Sequence, residues 1–327
     1  MSGKLLITGA TGFIGGKLAE HYLRLGAPVR LLVRVPKRLD PHLKDSCEIA
    51  LGDLTRPETL TEALAGVEEV IHSAGLLGRW GMPYHQLLEA NAVGVENLVR
   101  AACQEGVSRF IHLSAGGVTG PLGTTPADET YSPQPRTDYE RSKWEGERRA
   151  LEMAACENLN LLVIRPTFTY GPGDPHKLDL FRAVLKGRFV FIGNGLSTVH
   201  PVYIDDVVRG IDLALKSDLQ GTTVIIAGRR PVTKRELIWG IADVLGVQRP
   251  RRKIPVGLAV PAAHLCELAA TVLRFQPPLT QSRVLALSHN WGYNCEKAAL
   301  LLGYQPQMDL AQGLQETVAW YRERGWL

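Results

Sequence analysis

A hydrophobic strand that passes through three evenly spaced glycines into a helix, LLITGATGFIGGKLAEHYLRLG at residues 5 to 26, constrains this chain more than any other stretch. Gly9, Gly12 and Gly15 stand three residues apart. A side chain in such a turn blocks the close approach of a pyrophosphate, whose charge is best met by backbone amides and the positive end of a helix dipole. The flanking strand and helix supply the context that a glycine triplet alone lacks. Gly9, Thr11, Gly12, Phe13, Ile14 and Gly15 are therefore the expected cradle of a dinucleotide.

Beyond this turn the chain has the rhythm of a parallel sheet wound on both faces. Apolar runs at 4 to 8, 29 to 33, 48 to 51, 69 to 74, 109 to 114 and 159 to 166 alternate with segments of helical spacing such as 84 to 106. After Pro166 the character changes to a turn-rich loop at 169 to 175, a short strand and turn at 189 to 195, a late strand at 221 to 228, and helical stretches at 233 to 246 and 310 to 325. The expected class is α/β. Residues 1–166 form a dinucleotide-binding core to which 201–228 return, and 167–200 with 229–327 form a smaller C-terminal substrate-binding lobe. No internal repeat or low-complexity linker separates the two.

Composition narrows the class of function. Hydrophobic residues make up 45% and charged residues 21% of the 327, which suits a soluble globular enzyme and fits neither disorder nor a coiled coil. With 37 basic against 33 acidic residues and no long like-charge run, a nucleic-acid partner is not expected, and RRPVTKR and RPRRK read as solvated surface. Five scattered cysteines without a C-x-x-C pair imply reduced thiols and a cytoplasmic setting. A strand begins within four residues of the N-terminus, so no secretory signal is expected. The apolar stretch 256–273 approaches transmembrane length but contains Pro261, His264 and Glu267. It reads as an amphipathic lid or a core helix rather than a span, with a membrane-surface contact left open.

The end of the second strand bears on which dinucleotide is bound. Free ribose hydroxyls call for an acidic residue about 20 positions beyond the glycines, whereas a 2′-phosphate calls for a cation. VRLLVRVPKR offers Arg34, Lys37 and Arg38, and no carboxylate appears before Asp40. A guanidinium grips phosphate in two-point fashion, so NADP(H) is expected over NAD(H). The competing reading leaves Arg34 facing solvent.

Taken together, TGATGFIG, GDL at 52 to 54, HSAG at 72 to 75, Asn91 in NAVGVENL, YERSK at 139 to 143, RPTFTYGPGD at 165 to 174, HPVYIDDV at 200 to 207 and LLGYQP at 301 to 306 resemble the extended short-chain dehydrogenases/reductases, the NAD-dependent epimerase/dehydratase type, in order and over nearly the whole length. HSAGLLGRWG, the apolar segment followed by PPLT, and GLQETVAWYRERG look most like the 3β-hydroxysteroid dehydrogenase and dihydroflavonol reductase branch. The resemblance implies a Rossmann-type fold, Asp53 and Leu54 near the adenine, Ser73, Ala74 and Gly75 along the cofactor, and Pro166 and Thr167 near the nicotinamide. It also implies a homodimer, and a role for Asn91 alongside Tyr139 and Lys143.

Tyr139 and Lys143 stand four residues apart, on one face of a helix. A phenol with an ordinary pKa near 10 is a poor base at neutral pH, and an adjacent ammonium is expected to lower that value. Tyr139 would exchange a proton with the substrate oxygen as hydride passes to or from the carbon, and Lys143, by the resemblance, would also hold the nicotinamide ribose. The serine that the family places against that oxygen falls by count on Ala115, with Ser114 one residue early. Ser114 rotated inward, Thr119 or a water as substitute, and loss of the donor all stay open, with Ser114 preferred. The expected activity is NADP(H)-dependent interconversion of a secondary alcohol and a ketone on a fairly apolar small molecule, cyclic substrates being among the candidates. A sugar-nucleotide epimerase or dehydratase and a non-catalytic NADPH-binding structural or sensor protein are the alternatives. No metal is expected. His112 reads as packed, Asp205 and Asp206 as helix-capping, and Trp80, Tyr84, Phe168, Tyr170 and Phe181 as core or pocket residues.

Overall fold

Strands β1 (Lys4–Thr8), β2 (Val29–Val33), β3 (Glu48–Leu51), β4 (Val67–His72), β5 (Arg109–Leu113) and β6 (Leu161–Pro166) align with the edge strand Thr222–Ile226 in one parallel sheet. The computed structural model describes residues 3–327. From the edge strand the order runs β6, β5, β4, β1, β2, β3. Strands β2, β5 and β6 are buried along their whole length, as expected where helices cover both faces, so the polar residues they carry, Arg30, Arg109, His112 and Arg165, are buried with them. The order reverses between β1 and β4, so the loops leaving their carboxyl ends part to opposite faces and open a crevice between them.

The helical run expected at 84 to 106 is interrupted. Helices Tyr84–Leu88 and Gly94–Gln104 are joined by a π-turn, Glu89–Val93, centred on Asn91. Helix Asp138–Cys156 crosses at that point so closely that a β-carbon on Gly146 would stand 1.9 Å from the Asn91 carbonyl oxygen. Such local widening of a helix is a common companion of functional sites.

Residues beyond β6 pack into the core that begins under the sheet. One hydrophobic cluster runs from Leu5 and Ile7 of β1 through Phe181, Leu237 and Ile241 to Val318 and Tyr321 of helix Leu310–Glu323. Tyr170 and Phe181 belong to this core, each edge-on to a second tyrosine. Asp205 and Asp206 lie in the first turn of helix Ile204–Leu215 but do not cap it. Asp206 instead accepts the amides of Gln307 and Met308 at 2.9 and 3.1 Å, tying the helix to the C-terminal segment. Helix Val256–Leu273 is not the core helix that is one of its expected forms. Its fully buried residues are Ala259, Ala263 and Ala270, while Leu258, Val260, Leu265, Leu268, Val272 and Leu273 are exposed.

A buried ion pair fastens helix Asp138–Cys156 to the sheet. Arg165 of β6 donates to Glu147 through Nε at 3.0 Å and Nη2 at 2.6 Å, and the Thr223 hydroxyl of the edge strand donates to the same carboxylate at 3.1 Å. Removing one member of such a pair strands the other charge in low dielectric. Arg165→Leu is therefore expected to cost about 3–5 kcal/mol in urea denaturation, with partial recovery in a Glu147→Leu, Arg165→Leu double variant. A loss below about 1 kcal/mol would show that the pair does not hold this helix.

Candidate active site

The carboxyl ends of β1 and β4 are latched together. The Ser73 hydroxyl donates to the Thr8 carbonyl at 2.7 Å, and the Ala74 amide donates to the Thr8 hydroxyl at 3.1 Å. Gly9 has φ +78°, and a β-carbon there would lie 2.6 Å from the Ala74 nitrogen. One on Gly15 would lie 2.2 Å from the Gly9 oxygen. Both glycines are thus required by the chain's own packing. Gly12 differs, since a β-carbon there would meet only the Gly9 oxygen, at 3.3 Å.

Helix Phe13–Arg24 starts at Gly12 with no side-chain cap and no acidic residue in its first turn. Its positive end stays available to an anion. Beside it a cavity of about 210 Å³ is lined by Thr11, Gly12, Leu32, Arg34, Asp53, Leu54, Ala74 and Gly75. An uncapped helix end, an open face at Gly12 and this adjoining cavity fit a dinucleotide. Arg34 is 66% exposed and stands 3.7 Å from Asp53. Burial pulls the Asp53 carboxyl upward, but the Thr55 amide and hydroxyl, with Arg34 behind them, hold it below its ordinary value. Lys37 and Arg38 are exposed in a short 3₁₀ turn and do not line this cavity, because the turn carries them away from the strand end.

A larger cavity, about 570 Å³, continues from the glycine turn. Phe13, Ile14, Ser73, Tyr139, Lys143, Pro166 and Thr167 line it. Tyr139 owes its place to a capping box at the start of its helix: Thr137 accepts the Glu140 amide at 3.2 Å, and Glu140 accepts the amides of Arg136 and Thr137 at 2.8 and 2.9 Å. The T-x-x-E pattern in TDYE carried that signal in the sequence. Lys143 donates to the Leu113 carbonyl at 2.7 Å, and burial pushes its ammonium down to about 8. Burial, with the Glu140 carboxylate adding to it, pushes the Tyr139 phenol up to about 12. Both influences on the phenol act in the direction opposite to the lowering expected from Lys143, whose ammonium is engaged by the Leu113 carbonyl.

Ser114 and Ala115 both line the cavity. The Ser114 hydroxyl is buried and has no hydrogen-bond partner. Thr119 is outside the lining, its hydroxyl donating to the Gly116 carbonyl at 3.0 Å in the turn that follows β5. It is thus removed as a substitute donor. Asn91 is also set back. Its amide donates to the Leu76 carbonyl and the Ser142 hydroxyl at 2.9 and 3.0 Å and accepts the Leu76 amide at 2.7 Å. All its side-chain polar atoms are engaged, so it positions the loop after β4 against the Tyr139 helix rather than reaching the cavity. His112 lies below, stacked on His72 at 5.3 Å, with burial holding both rings neutral. No cluster of metal-ligating residues occurs among the described residues.

The far wall comes from residues that sequence reasoning missed. His200, Lys234, Trp291 and Tyr293 face the cavity, along with Lys177, Leu180, Leu237 and Leu287. His200 accepts the Tyr293 amide through Nδ1 at 3.3 Å, which leaves Nε2 to donate to the Gly228 carbonyl at 2.9 Å. Its tautomer is fixed, and burial pushes its pKa down to about 4. Lys234 donates to the Ser197 hydroxyl and the Thr198 and His289 carbonyls, and burial pushes it down to about 7. Of the five aromatic candidates only Phe168 lines the cavity, while Tyr84 is exposed and Trp80 half-buried outside it.

The sequence profile of the NAD dependent epimerase/dehydratase family matches residues 5–227. The 2-alkyl-3-oxoalkanoate reductase of Stenotrophomonas maltophilia is 29% identical over 97% of this chain and 98% of its own. The 3beta-hydroxysteroid-dehydrogenase/decarboxylase isoform 1 of Arabidopsis thaliana is 30% identical over 96% of this chain and 78% of its own. The crystal structure of DesIV, a dTDP-glucose 4,6-dehydratase from Streptomyces venezuelae with NAD bound, superposes with a TM-score of 0.80 at 26% identity, over 99% of this chain and 98% of that one.

The three glycines are expected to separate on substitution. Gly12→Ala should shift the thermal midpoint by no more than about 2 °C yet weaken dinucleotide binding about tenfold or more by calorimetry. Gly15→Ala should destabilise the fold itself. Equal loss of stability in both would remove the distinction between a packing glycine and a ligand-facing one.

Proposed function

The chain belongs to the NAD dependent epimerase/dehydratase family, and from that premise we propose that this oxidoreductase interconverts a secondary alcohol and a ketone on a largely apolar small molecule, using NADP(H). One observation carries the reading. Tyr139 and Ser114 both line one cavity that runs on from the glycine turn, and the buried Ser114 hydroxyl has no hydrogen-bond partner. The bound dinucleotide supplies or takes up the hydride.

The chain's own residues do the rest. Tyr139, protonated throughout the neutral range, is an acid ready for a carbonyl oxygen, which favours the reductive direction. Ser114 donates to the same oxygen and stabilises the charge that gathers there. Lys143, charged at neutral pH, keeps a cation beside the ribose end of the cofactor and is anchored by Leu113. Leu180, Leu237, Ile238, Leu287 and Trp291 exclude water and suit a hydrophobic ketone better than a sugar diphosphate. Exposed Arg34 at the adenosine end, with no carboxylate on β2 beside it, supports NADP(H) over NAD(H). Segments 167–200 and 229–327 then serve as the substrate lobe of a cytoplasmic enzyme, a homodimer as in the family.

On a panel of hydrophobic ketones, Tyr139→Phe is expected to lower kcat by about 100- to 10,000-fold and Ser114→Ala by about 100- to 1,000-fold, each with NADPH affinity nearly unchanged. Arg34→Ala should weaken NADPH at least about tenfold and leave NADH within about twofold. Lys143 has its pKa lowered to about 8, so its charge is complete well below that pH and is lost above it. Reductive turnover should accordingly be level near neutrality and decline above about pH 8. Full activity in Tyr139→Phe, or tight NADPH binding without turnover of any carbonyl, would count against the reading.

A further inference from the structure

Helix Val256–Leu273 carries its side chains inside out. Ala259, Ala263 and Ala270 are fully buried, whereas Leu258 is 63% exposed, Leu265 65%, Leu268 54%, Val272 79% and Leu273 71%. At about 100° per residue, Leu258, Leu265, Leu268 and Val272 fall on one outward arc, and no polar residue interrupts it. Single exposed leucines need no explanation, but a continuous face of them marks an interaction surface.

The charge around this face is equally one-sided. Between residues 251 and 290 stand Arg251, Arg252, Lys253, Arg274 and Arg283, with Glu267 as the only acid. That surplus equals the formal net charge of +4 carried by the entire chain. Neighbouring Arg249 is paired with Asp243, but these five have no such carboxylate among the described residues. Glu267 is turned inward, accepting the Gln281 amide at 2.9 Å and its side chain at 2.6 Å. Those bonds stitch the helix to its neighbour Gln281–Ser288, so it lies along the protein surface and does not extend away from it.

We propose that this face docks on an anionic phospholipid bilayer, with the helix lying in the plane of the headgroups, its leucines entering the acyl boundary and its flanking arginines and Lys253 meeting lipid phosphates. A second copy of the chain is a poorer occupant, because a two-fold contact through one patch would set the five cations against their own copies. The docked helix also adjoins the large cavity. Val284 of helix Gln281–Ser288 packs in the same cluster as Ala259 and Ala263, while Ala286 and Leu287 of that helix line the cavity wall. An apolar ligand would thus meet the protein beside the lipid phase. The docking itself does not depend on which reaction the cavity carries out.

The test is flotation of the full chain with phosphatidylcholine vesicles containing about one-third phosphatidylglycerol, and with vesicles of phosphatidylcholine alone. The protein should float with the anionic vesicles, and much less with the neutral ones. Leu265→Gln with Leu268→Gln should cut the bound fraction about tenfold, and Arg251→Gln with Arg252→Gln should remove most of the preference for anionic lipid. Both variants should keep the wild-type thermal midpoint, which separates lost docking from lost folding. The proposal is overturned if the wild type stays with the dense fraction, if the two variants float unchanged, or if sedimentation shows a dimer that the leucine variant dissociates.

Discussion

Backbone meets backbone where β1 turns into its helix, and the site is built outward from that contact. Gly9 and Gly15 have no room for a β-carbon, and Ser73 and Ala74 are drawn onto Thr8 by direct hydrogen bonds. Because β1 and β4 are neighbours at the point where strand order reverses, this latch fixes the floor of the crevice. Helix Phe13–Arg24 can then aim an uncapped end at the space above Gly12.

Desolvation governs the chemistry of the groups around that floor. Lys143 sits above two buried, stacked histidines, and its charge joins their burial in keeping both neutral. The same burial keeps the Tyr139 proton in place and brings the ammonium of Lys143 toward its titration range. A neutral acid beside a marginal cation is the arrangement that burial dictates here. Arg165 and Glu147 make it durable, since they hold the helix bearing Tyr139 against β6 from inside the fold.

The two halves of the chain contribute different physical characters to one cleft. The sheet ends supply backbone donors and glycine clearance, helix Asp138–Cys156 supplies Tyr139 and Lys143, and the segments after Pro166 supply an apolar wall with fixed polar points at His200 and Lys234. Helix Val256–Leu273 extends the apolar character onto the outer surface, separated from the cavity by one short helix. The interior and exterior apolar surfaces thus both come from the chain after Pro166.

Features governed by local rules were legible in the sequence. The glycine turn, the alternation of apolar strands with helical spacing, the change of character after Pro166 and the four-residue separation of Tyr139 and Lys143 each depend on neighbours within a few residues, and periodicity records them. Strand ends were less legible: β4 stops at His72 and β6 begins at Leu161, where pairing partners rather than propensity set the limits. Tertiary structure alone decided that Ser114 lines the cavity while Thr119 closes its own turn, that Asn91 stands behind the site, and that Tyr293 and Lys234 line it. It also decided that burial and the Glu140 carboxylate raise the Tyr139 phenol, neither of which the spacing to Lys143 reveals. Spacing along a chain fixes which side chains share a face, but direction, burial and distant partners exist only after the chain has closed on itself.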